Sequence, residues 1–352
     1  MTTPLETLIA SGTKLWVDSI DPDLVQSNRA LGATGATSNP VIVGNLIKTG
    51  RFDDGIAELA TAAHDDEAIA WQMTDRLVAS AQEVFQPVWE ATAGNDGYVS
   101  FELDPLIEDS DRNLPHDERV KRYVELGKKW SSGHSNRMIK VPATPAGIDS
   151  LEPLCASGIT LNVTLIFTKR QYEAARDSVW RGAQQRADFS TFKSVYSVFV
   201  SRVDAYAAKA IENLSDAARS IVGIANAQDI WQANQDFWKA NPTPLEQEIV
   251  FASTGTKNPD DPAWKYVEAL AGSDIQTNPP KTNDLTQASG RTIASNIQDR
   301  SSETVLNEIR EKVDLQELED VLMREGIQKF ADPHKALLAL IASKRAELSE
   351  TG

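Results

Sequence analysis

Eight short runs of apolar and β-branched residues recur along the chain, and stretches with helical periodicity separate them. Such a run predicts a buried strand, and an apolar residue at every third or fourth position predicts an amphipathic helix. The predicted strands are residues 14–18, 33–38, 98–103, 137–141, 159–166, 194–199, 248–253 and 274–277. The clearest predicted helices are residues 75–90, 119–129, 169–186, 203–214, 223–238 and 261–270. Strands that alternate with helices indicate parallel βαβ units.

Eight such units in a chain of 352 residues predict an α/β fold, a single closed (β/α)8 barrel of the TIM type. An open, doubly wound sheet is the alternative. Two long connections, residues 45–89 and 279–352, must contain extra helices, and a C-terminal helix over residues 330–348 is expected to close the barrel. Because no stretch has the composition of a linker, residues 1–352 are expected to form one domain.

The formal net charge of −16 disfavours nucleic acid and anionic membranes as partners, because both are bound through basic patches. A small anionic ligand stays open, since it needs only a few local cations. Cys155 is the one cysteine, which excludes an intramolecular disulfide and is typical of a reducing compartment. The first residues do not have the pattern of a signal peptide, and no apolar run approaches about 18 residues. We therefore expect a cytoplasmic protein without a transmembrane helix.

Polar residues gather at the carboxyl ends of the predicted strands, where α/β barrels carry their active sites. Side chains alternate between the two faces of a strand, so the sequence predicts which polar residues share the inward face. Each one alone has an ordinary explanation as a helix cap, a polar strand face or a surface charge. Their convergence at one end of the barrel predicts a catalytic site. They are Asp18, Asn39, Glu102, Lys140, Asn162, Thr164, Ser197 and Ser253, with Arg202 and Lys257 just beyond the strands, and the apolar Phe199 shares the face of Ser197.

Lys140 lies in the predicted strand RMIKVP, with apolar residues on both sides. Burial disfavours the charged form of an amine and so lowers the pKa of a buried lysine in general. A neutral amine attacks carbonyl compounds and forms a Schiff base with them. The alternative is a structural lysine that extends its amine to water from a strand end. The polar residues that surround Lys140 in the predicted barrel favour the catalytic interpretation.

Other chemistries find little support in the sequence. The four histidines, His64, His116, His134 and His334, do not have metal-ligand spacing, and we expect no metal site. A GxSxG sequence, which marks many serine hydrolases, is absent. The stretch STGTKNP does not have the leading glycine and the GK[ST] order of a nucleotide-binding loop.

Seven segments resemble the transaldolase family and occur in the family's order: LWVDSI, GATGATSNPVIV, VSFEL, NRMIKVPATPAGI, GITLNVTLIF, YSVFVSRVDAY and FASTGTKNP. The region LMREGIQKFADPHKALL is similar as well. The resemblance implies a cofactor-free class I enzyme of the pentose phosphate pathway, which transfers a three-carbon dihydroxyacetone unit between sugar phosphates. The expected reaction converts sedoheptulose 7-phosphate and glyceraldehyde 3-phosphate to erythrose 4-phosphate and fructose 6-phosphate. The resemblance leaves open whether the enzyme is a monomer or a homodimer.

The resemblance also implies roles for individual residues. Lys140 aligns with the Schiff-base lysine, and Asp18 aligns with the residue that exchanges the proton of the substrate C4 hydroxyl. Glu102 aligns with an acid/base that works through a water, which Thr164 helps to hold. The implied substrate-binding residues grip either the dihydroxyacetone unit or the phosphate, and Lys257 stands where many relatives have arginine. They are Asn39, Asn162, Ser197, Phe199, Arg202, Ser253 and Lys257.

Two other functions stay open at this point. A lyase that releases free dihydroxyacetone from fructose 6-phosphate would share Lys140 and the fold. Lyases of the wider family tend to have glutamine and tyrosine where this chain has Glu102 and Phe199, which favours the transferase. A non-catalytic sugar-phosphate-binding barrel would be expected to have lost Lys140 or Asp18, and both are present.

Overall fold

Eight parallel strands form a closed barrel in the computed structural model, which describes residues 2–62 and 65–350. The strands pair in sequence order, and β8 returns to pair with β1. All eight predicted strands are present with ends shifted by a few residues, and the closed topology excludes the doubly wound alternative. The strands are β1 Lys14–Val17, β2 Gly35–Ala36, β3 Val99–Glu102, β4 Arg137–Pro142, β5 Leu161–Ile166, β6 Ser194–Phe199, β7 Glu248–Ala252 and β8 Ile275–Asn278.

Helices surround the barrel, and each of the six clearest predicted helices overlaps an observed one. The helices are α1 Pro4–Ala10, α2 Pro22–Ala30, α3 Pro40–Lys48, α4 Asp53–Thr61, α5 Asp66–Ala91, α6 His116–Ser131, α7 Pro145–Ala156, α8 Lys169–Ala183, α9 Ser201–Ala210, α10 Asp216–Arg219, α11 Val222–Ala240, α12 Lys265–Ala269, α13 Pro280–Ala288, α14 Glu303–Lys312 and α15 Leu315–Glu350. The end of α3, α4 and most of α5 lie in the connection of residues 45–89, and α13 to α15 lie in the connection of residues 279–352, which were both expected to contain extra helices. Helix α7 was not predicted. It begins at Pro145 behind the capping hydroxyl of Thr144, and it contains Pro153, a residue that usually ends a helix.

The barrel interior follows the predicted alternation of side chains. One end is filled by large apolar side chains that point inward from six strands or their starts: Trp16, Tyr98, Met138, Val195, Val250 and Ile275. Two residues further along the same faces, the side chain is polar on five of these six strands, as at Lys140 and Ser197, and Ala252 of β7 is the exception. The apolar half therefore supports the fold, and the polar half remains for a site.

Helix α15 passes over the carboxyl end of the barrel and is longer than predicted, because it begins at Leu315 and continues through Pro333. Its amines bind acidic residues of the loops at this end. Lys335 Nζ lies 2.6 Å from Asp109 and 2.7 Å from Asp111, in the connection that follows β3. These ion pairs and an apolar face fix the helix over the mouth of the barrel. Among residues 2–62 and 65–350, no helix combines the length and the apolar character needed to cross a membrane.

Acid is expected to destabilise the packing of helix α15 through His334. The side chain is 3% exposed and its ring lies 5.0 Å from the ring of Trp71. Burial lowers the pKa of His334 to about 4. Since this is below the unfolded value of about 6.5, the contribution to stability is complete above about pH 6.5 and is lost as the pH falls toward 4.

Urea unfolding at about pH 7.5 and about pH 4.5 tests this expectation. The wild type should lose about 2–3 kcal/mol more of its free energy of unfolding than His334→Gln between these two conditions. At about pH 4.5 the imidazole takes up a proton in the unfolded wild type and stays mostly neutral in the folded one, and the variant has no such group. His116→Gln serves as the control, since that imidazole is 43% exposed. Equal acid sensitivity in the wild type and His334→Gln would contradict the expectation.

Candidate active site

A cavity of about 170 Å³ opens at the carboxyl end of the barrel. Of the eleven residues predicted for the site, nine line this cavity. The other two, Glu102 and Asn162, lie behind it and hydrogen-bond to residues of the lining, Lys140 and Ser197 respectively. The sequence-predicted set is thus brought together in one place. The lining members are Asp18, Asn39, Lys140, Thr164, Ser197, Phe199, Arg202, Ser253 and Lys257.

The amine of Lys140 is buried and paired. Lys140 and Glu102 are register partners on the adjacent strands β4 and β3, so their side chains extend side by side. Lys140 Nζ donates to Glu102 Oε2 at 2.9 Å and to the backbone carbonyl of Ser38 at 3.0 Å. Burial raises the pKa of the Glu102 carboxyl, and the Lys140 amine opposes that rise. The pair can therefore pass a proton from the amine to the carboxylate, which would free the amine as a nucleophile.

Asp18 lies directly after β1 on the wall of the same cavity. The hydroxyl of Thr37 donates to Asp18 Oδ1 at 2.9 Å, and Thr37 Oγ1 is itself 2.8 Å from Thr277 Oγ1. Burial raises the pKa of the Asp18 carboxyl, while Lys140 and the Thr37 hydroxyl oppose the rise. A carboxyl group with these opposing influences can take up a proton and give it back, as a general base and acid must.

Buried amide and hydroxyl groups form one connected wall. Ser197 Oγ donates to Asn162 Oδ1 at 2.7 Å, and Asn162 Nδ2 donates to Ser100 Oγ at 2.8 Å. This hydrogen-bond network fixes the orientation of the Asn162 side chain, and all three of its members are uncharged. Thr164 Oγ1 lines the cavity and has no hydrogen-bond partner among the described residues. It is available to a ligand or to a water, which suits the role implied for Thr164.

Asn39 reaches the cavity from the start of helix α3. Its side chain accepts from the backbone amide of Ile42 at 3.1 Å, and Pro40 occupies the first helical position. Asn39 is therefore a helix cap, the non-catalytic role that the sequence also allowed. It lines the cavity as well. The cap uses Oδ1, and Nδ2 remains as a donor for a ligand.

Two cationic side chains, Arg202 and Lys257, line the cavity. Arg202, in the first turn of α9, has its guanidinium carbon 5.0 Å from the ring of Phe199 and 5.8 Å from the ring of Phe330. Arg202 Nη1 is buried and has no hydrogen-bond partner in the described part of the chain. Burial lowers the pKa of Lys257, and the nearby Arg202 lowers it further. Two neighbouring cations, one of which has a buried N–H donor without a partner, are suited to bind a phosphate group.

Backbone strain marks the edge of the site. Strand β7 ends at Ala252, so Ser253 is not a strand residue as predicted, and its φ is 55°. Leu165, next to Thr164 in β5, has a φ of 57° where the register between β5 and β6 shifts. Left-handed backbone at a residue other than glycine costs about 1 kcal/mol or more and is concentrated at functional sites. At Ser253 it places the hydroxyl 2.9 Å from Ser201 Oγ, beside Arg202.

Some lining residues were not predicted. Thr37 and Thr277 were left out of the predicted site, although Thr37 shares a face with Asn39 and Thr277 shares the inward face of Ile275 on β8. Phe330 comes from helix α15, which has no strand parity to place it. Among residues 2–62 and 65–350, no group of three or more histidine, cysteine, aspartate or glutamate side chains is arranged to hold a metal ion. Of the four histidines, His64 lies outside the described residues.

The chain belongs to the transaldolase/fructose-6-phosphate aldolase family, whose model matches residues 15–341. Relatives named transaldolase are similar over nearly their whole length. The protein of Kocuria rhizophila is 32% identical, with 97% of this chain and 98% of the relative aligned. The proteins of a Parafrankia species and of Mycobacterium leprae are each 33% identical, over 97% and 95% of this chain. This similarity supports an enzyme of the transferase type.

Proposed function

We propose that this chain is a transaldolase that moves a dihydroxyacetone unit between sugar phosphates through a Schiff base on Lys140. The donor would be sedoheptulose 7-phosphate and the acceptor glyceraldehyde 3-phosphate, which gives erythrose 4-phosphate and fructose 6-phosphate, an exchange of the pentose phosphate pathway. The observation that carries the proposal is a buried Lys140–Glu102 pair in a cavity that also contains the Asp18 carboxyl group.

The first half of the reaction forms the covalent intermediate. Glu102 takes a proton from the Lys140 ammonium, and the free amine attacks C2 of the ketose. The resulting carbinolamine loses water, and protonated Glu102 supplies the proton that the departing hydroxyl needs. The product is a protonated imine, which can accept the electron pair of a neighbouring carbon–carbon bond. Thr164, with its free hydroxyl, would hold a water between Glu102 and the substrate.

The second half breaks and forms the carbon–carbon bond. Asp18 takes the proton of the C4 hydroxyl, the C3–C4 bond breaks, and its electron pair moves to C3 to give an enamine. The aldehyde leaves, and the three-carbon unit stays on Lys140. When the acceptor aldehyde arrives, C3 attacks its carbonyl carbon, and Asp18 returns its proton to the new hydroxyl. Hydrolysis of the imine then releases the new ketose and frees Lys140.

Binding of the two sugar phosphates would use the rest of the cavity wall. The Asn162–Ser197 network and the free amide of Asn39 can hold the hydroxyls of the three-carbon unit. Arg202 and Lys257 would bind the phosphate at the far end of either substrate. Because the phosphate is remote from the reacting carbons, its binding energy can position them without direct participation in the chemistry.

An assay with and without acceptor tests the proposal. Purified enzyme receives fructose 6-phosphate alone or together with erythrose 4-phosphate, and the formation of sedoheptulose 7-phosphate, glyceraldehyde 3-phosphate and free dihydroxyacetone is followed. We expect rapid transfer with the acceptor and little free dihydroxyacetone without it. Equal rates of dihydroxyacetone release under both conditions would identify a lyase instead. A folded enzyme that binds sugar phosphates without turnover would favour the non-catalytic barrel.

Replacing Arg202 by alanine should weaken the use of phosphorylated substrates. Loss of a charge-assisted contact with phosphate is expected to raise KM for erythrose 4-phosphate by about 10- to 100-fold, because such contacts contribute about 1.5–3 kcal/mol. The same variant should show a much smaller change with unphosphorylated erythrose. Lys265→Ala is the control, since that amine is paired with Asp261 at 2.9 Å outside the cavity lining. Equal effects on both acceptors would argue against a phosphate contact.

A further inference from the structure

The aromatic ring of Phe330 lies beside the amine of Lys140 in the cavity. Phe330 lines the cavity, is 6% exposed, and has its ring centre 5.8 Å from Lys140 Nζ. The residue comes from helix α15 and not from a strand of the barrel. No proton transfer of the proposed reaction uses this side chain. Its place against the amine therefore needs another explanation.

The position of Phe330 is fixed from two directions. Lys335, further along α15, is ion-paired with Asp109 in the connection that follows β3, the strand of Glu102. Glu319, earlier in α15, accepts a hydrogen bond from Thr168 at the start of α8, which follows β5, the strand of Thr164. Helix α15 thus contacts the segments that follow β3 and β5, the strands that contain Glu102 and Thr164. These contacts hold the ring at a fixed distance from the amine.

A glycine lets helix α15 approach the barrel at this point. Gly326 is one helical turn before Phe330 and on the same face. A Cβ atom at Gly326 would lie only 3.1 Å from Leu165 Cδ2, which is closer than ordinary packing contacts. Leu165 has the left-handed backbone described above, and it belongs to the same apolar cluster as Phe330. Close packing between helix and strand therefore brings the ring over the site.

We infer that Phe330 shields the Schiff base from water and so determines how the three-carbon unit is divided between transfer and release. This inference rests on the proposed function. Release without an acceptor requires a proton on C3 of the enamine, addition of water at C2, and cleavage of the C–N bond, which returns the Lys140 amine and free dihydroxyacetone. An apolar ring beside the nitrogen restricts the approach of water to that carbon, and its face also stabilises the positive charge of a protonated imine.

The test measures a ratio, which does not depend on the amount of folded enzyme. Dihydroxyacetone released per transfer event is compared in the wild type, Phe330→Ala and Phe330→Leu. We expect the ratio to rise about tenfold in Phe330→Ala, because water gains access to the imine. Phe330→Leu keeps an apolar side chain and should give a smaller rise. Unchanged ratios in both variants, with normal transfer, would overturn the inference.

Phe167→Leu is the matched control. Phe167 is fully buried in the same cluster, with its ring 5.6 Å from that of Phe199, and it does not line the cavity. An equal rise in this variant would mean that loosened packing, and not shielding, causes the release, and would also overturn the inference. Failure of the proposed function gives a different result, since the wild type itself would then neither transfer the unit nor form a reducible adduct on Lys140.

Discussion

Lys140→Ala is expected to lower transfer by at least about 10⁴-fold, as is typical when a covalent nucleophile is removed. The chain should still fold. Removing one partner of a buried ion pair normally leaves an uncompensated charge, but burial already raises the pKa of Glu102, so this carboxyl can become neutral. Activity close to that of the wild type would exclude Lys140 as the nucleophile.

Borohydride reduction tests for the Schiff base on Lys140 directly, without a measurement of turnover. Wild-type enzyme incubated with fructose 6-phosphate and borohydride should carry a stable adduct, and peptide mapping should place it on Lys140. Lys14→Met is the matched control, because Lys14 is also a strand lysine paired with a glutamate, Glu248, at 2.7 Å, but at the opposite end of the barrel. This variant should be labelled like the wild type, and Lys140→Ala should not. An adduct on another lysine would show that this other residue, and not Lys140, forms the Schiff base.

Much of the barrel could be predicted because its elements are local in the sequence. Each strand is a short apolar run, and each inward face follows from alternation within that run. This is why Asp18, Glu102 and Lys140 could be assigned to one end of the barrel before their contacts were known. The closed order of strands then follows from eight similar units, since parallel strands joined by helices pair with their neighbours in sequence.

Other features depend on contacts between distant segments, which no local pattern contains. The Lys140–Glu102 pair follows from the register of β4 against β3, and the apolar neighbours in the sequence suggest instead an amine without a partner. Phe330 reaches the cavity through the docking of α15, whose first half is too rich in charge to stand out and whose middle contains Pro333. The left-handed Ser253 was assigned to a strand because its sequence does not reveal its backbone angle.

Asp18→Asn is expected to separate Schiff-base formation from carbon–carbon cleavage. Asparagine has nearly the same shape, and its carbonyl oxygen can accept the Thr37 hydroxyl bond that Asp18 Oδ1 accepts at 2.9 Å. An amide cannot take the proton of the C4 hydroxyl, so cleavage should slow by about 10²- to 10⁴-fold, the usual contribution of a general base. Attack by Lys140 needs Glu102 and not Asp18, and should continue.

The adduct that borohydride traps then reports which step is blocked. In the wild type without acceptor, the C3–C4 bond breaks and a three-carbon adduct should accumulate on Lys140 beside the six-carbon one. In Asp18→Asn, the adduct should be almost entirely the six-carbon form, because the imine forms and the bond remains intact. Asp96→Asn is a suitable control, since Asp96 is a buried carboxyl group that accepts from Trp16 Nε1 at 3.0 Å, outside the lining of the cavity. A three-carbon adduct formed in Asp18→Asn at the wild-type rate would show that another group takes the proton of the C4 hydroxyl. The Asp18 carboxylate would then only position the substrate.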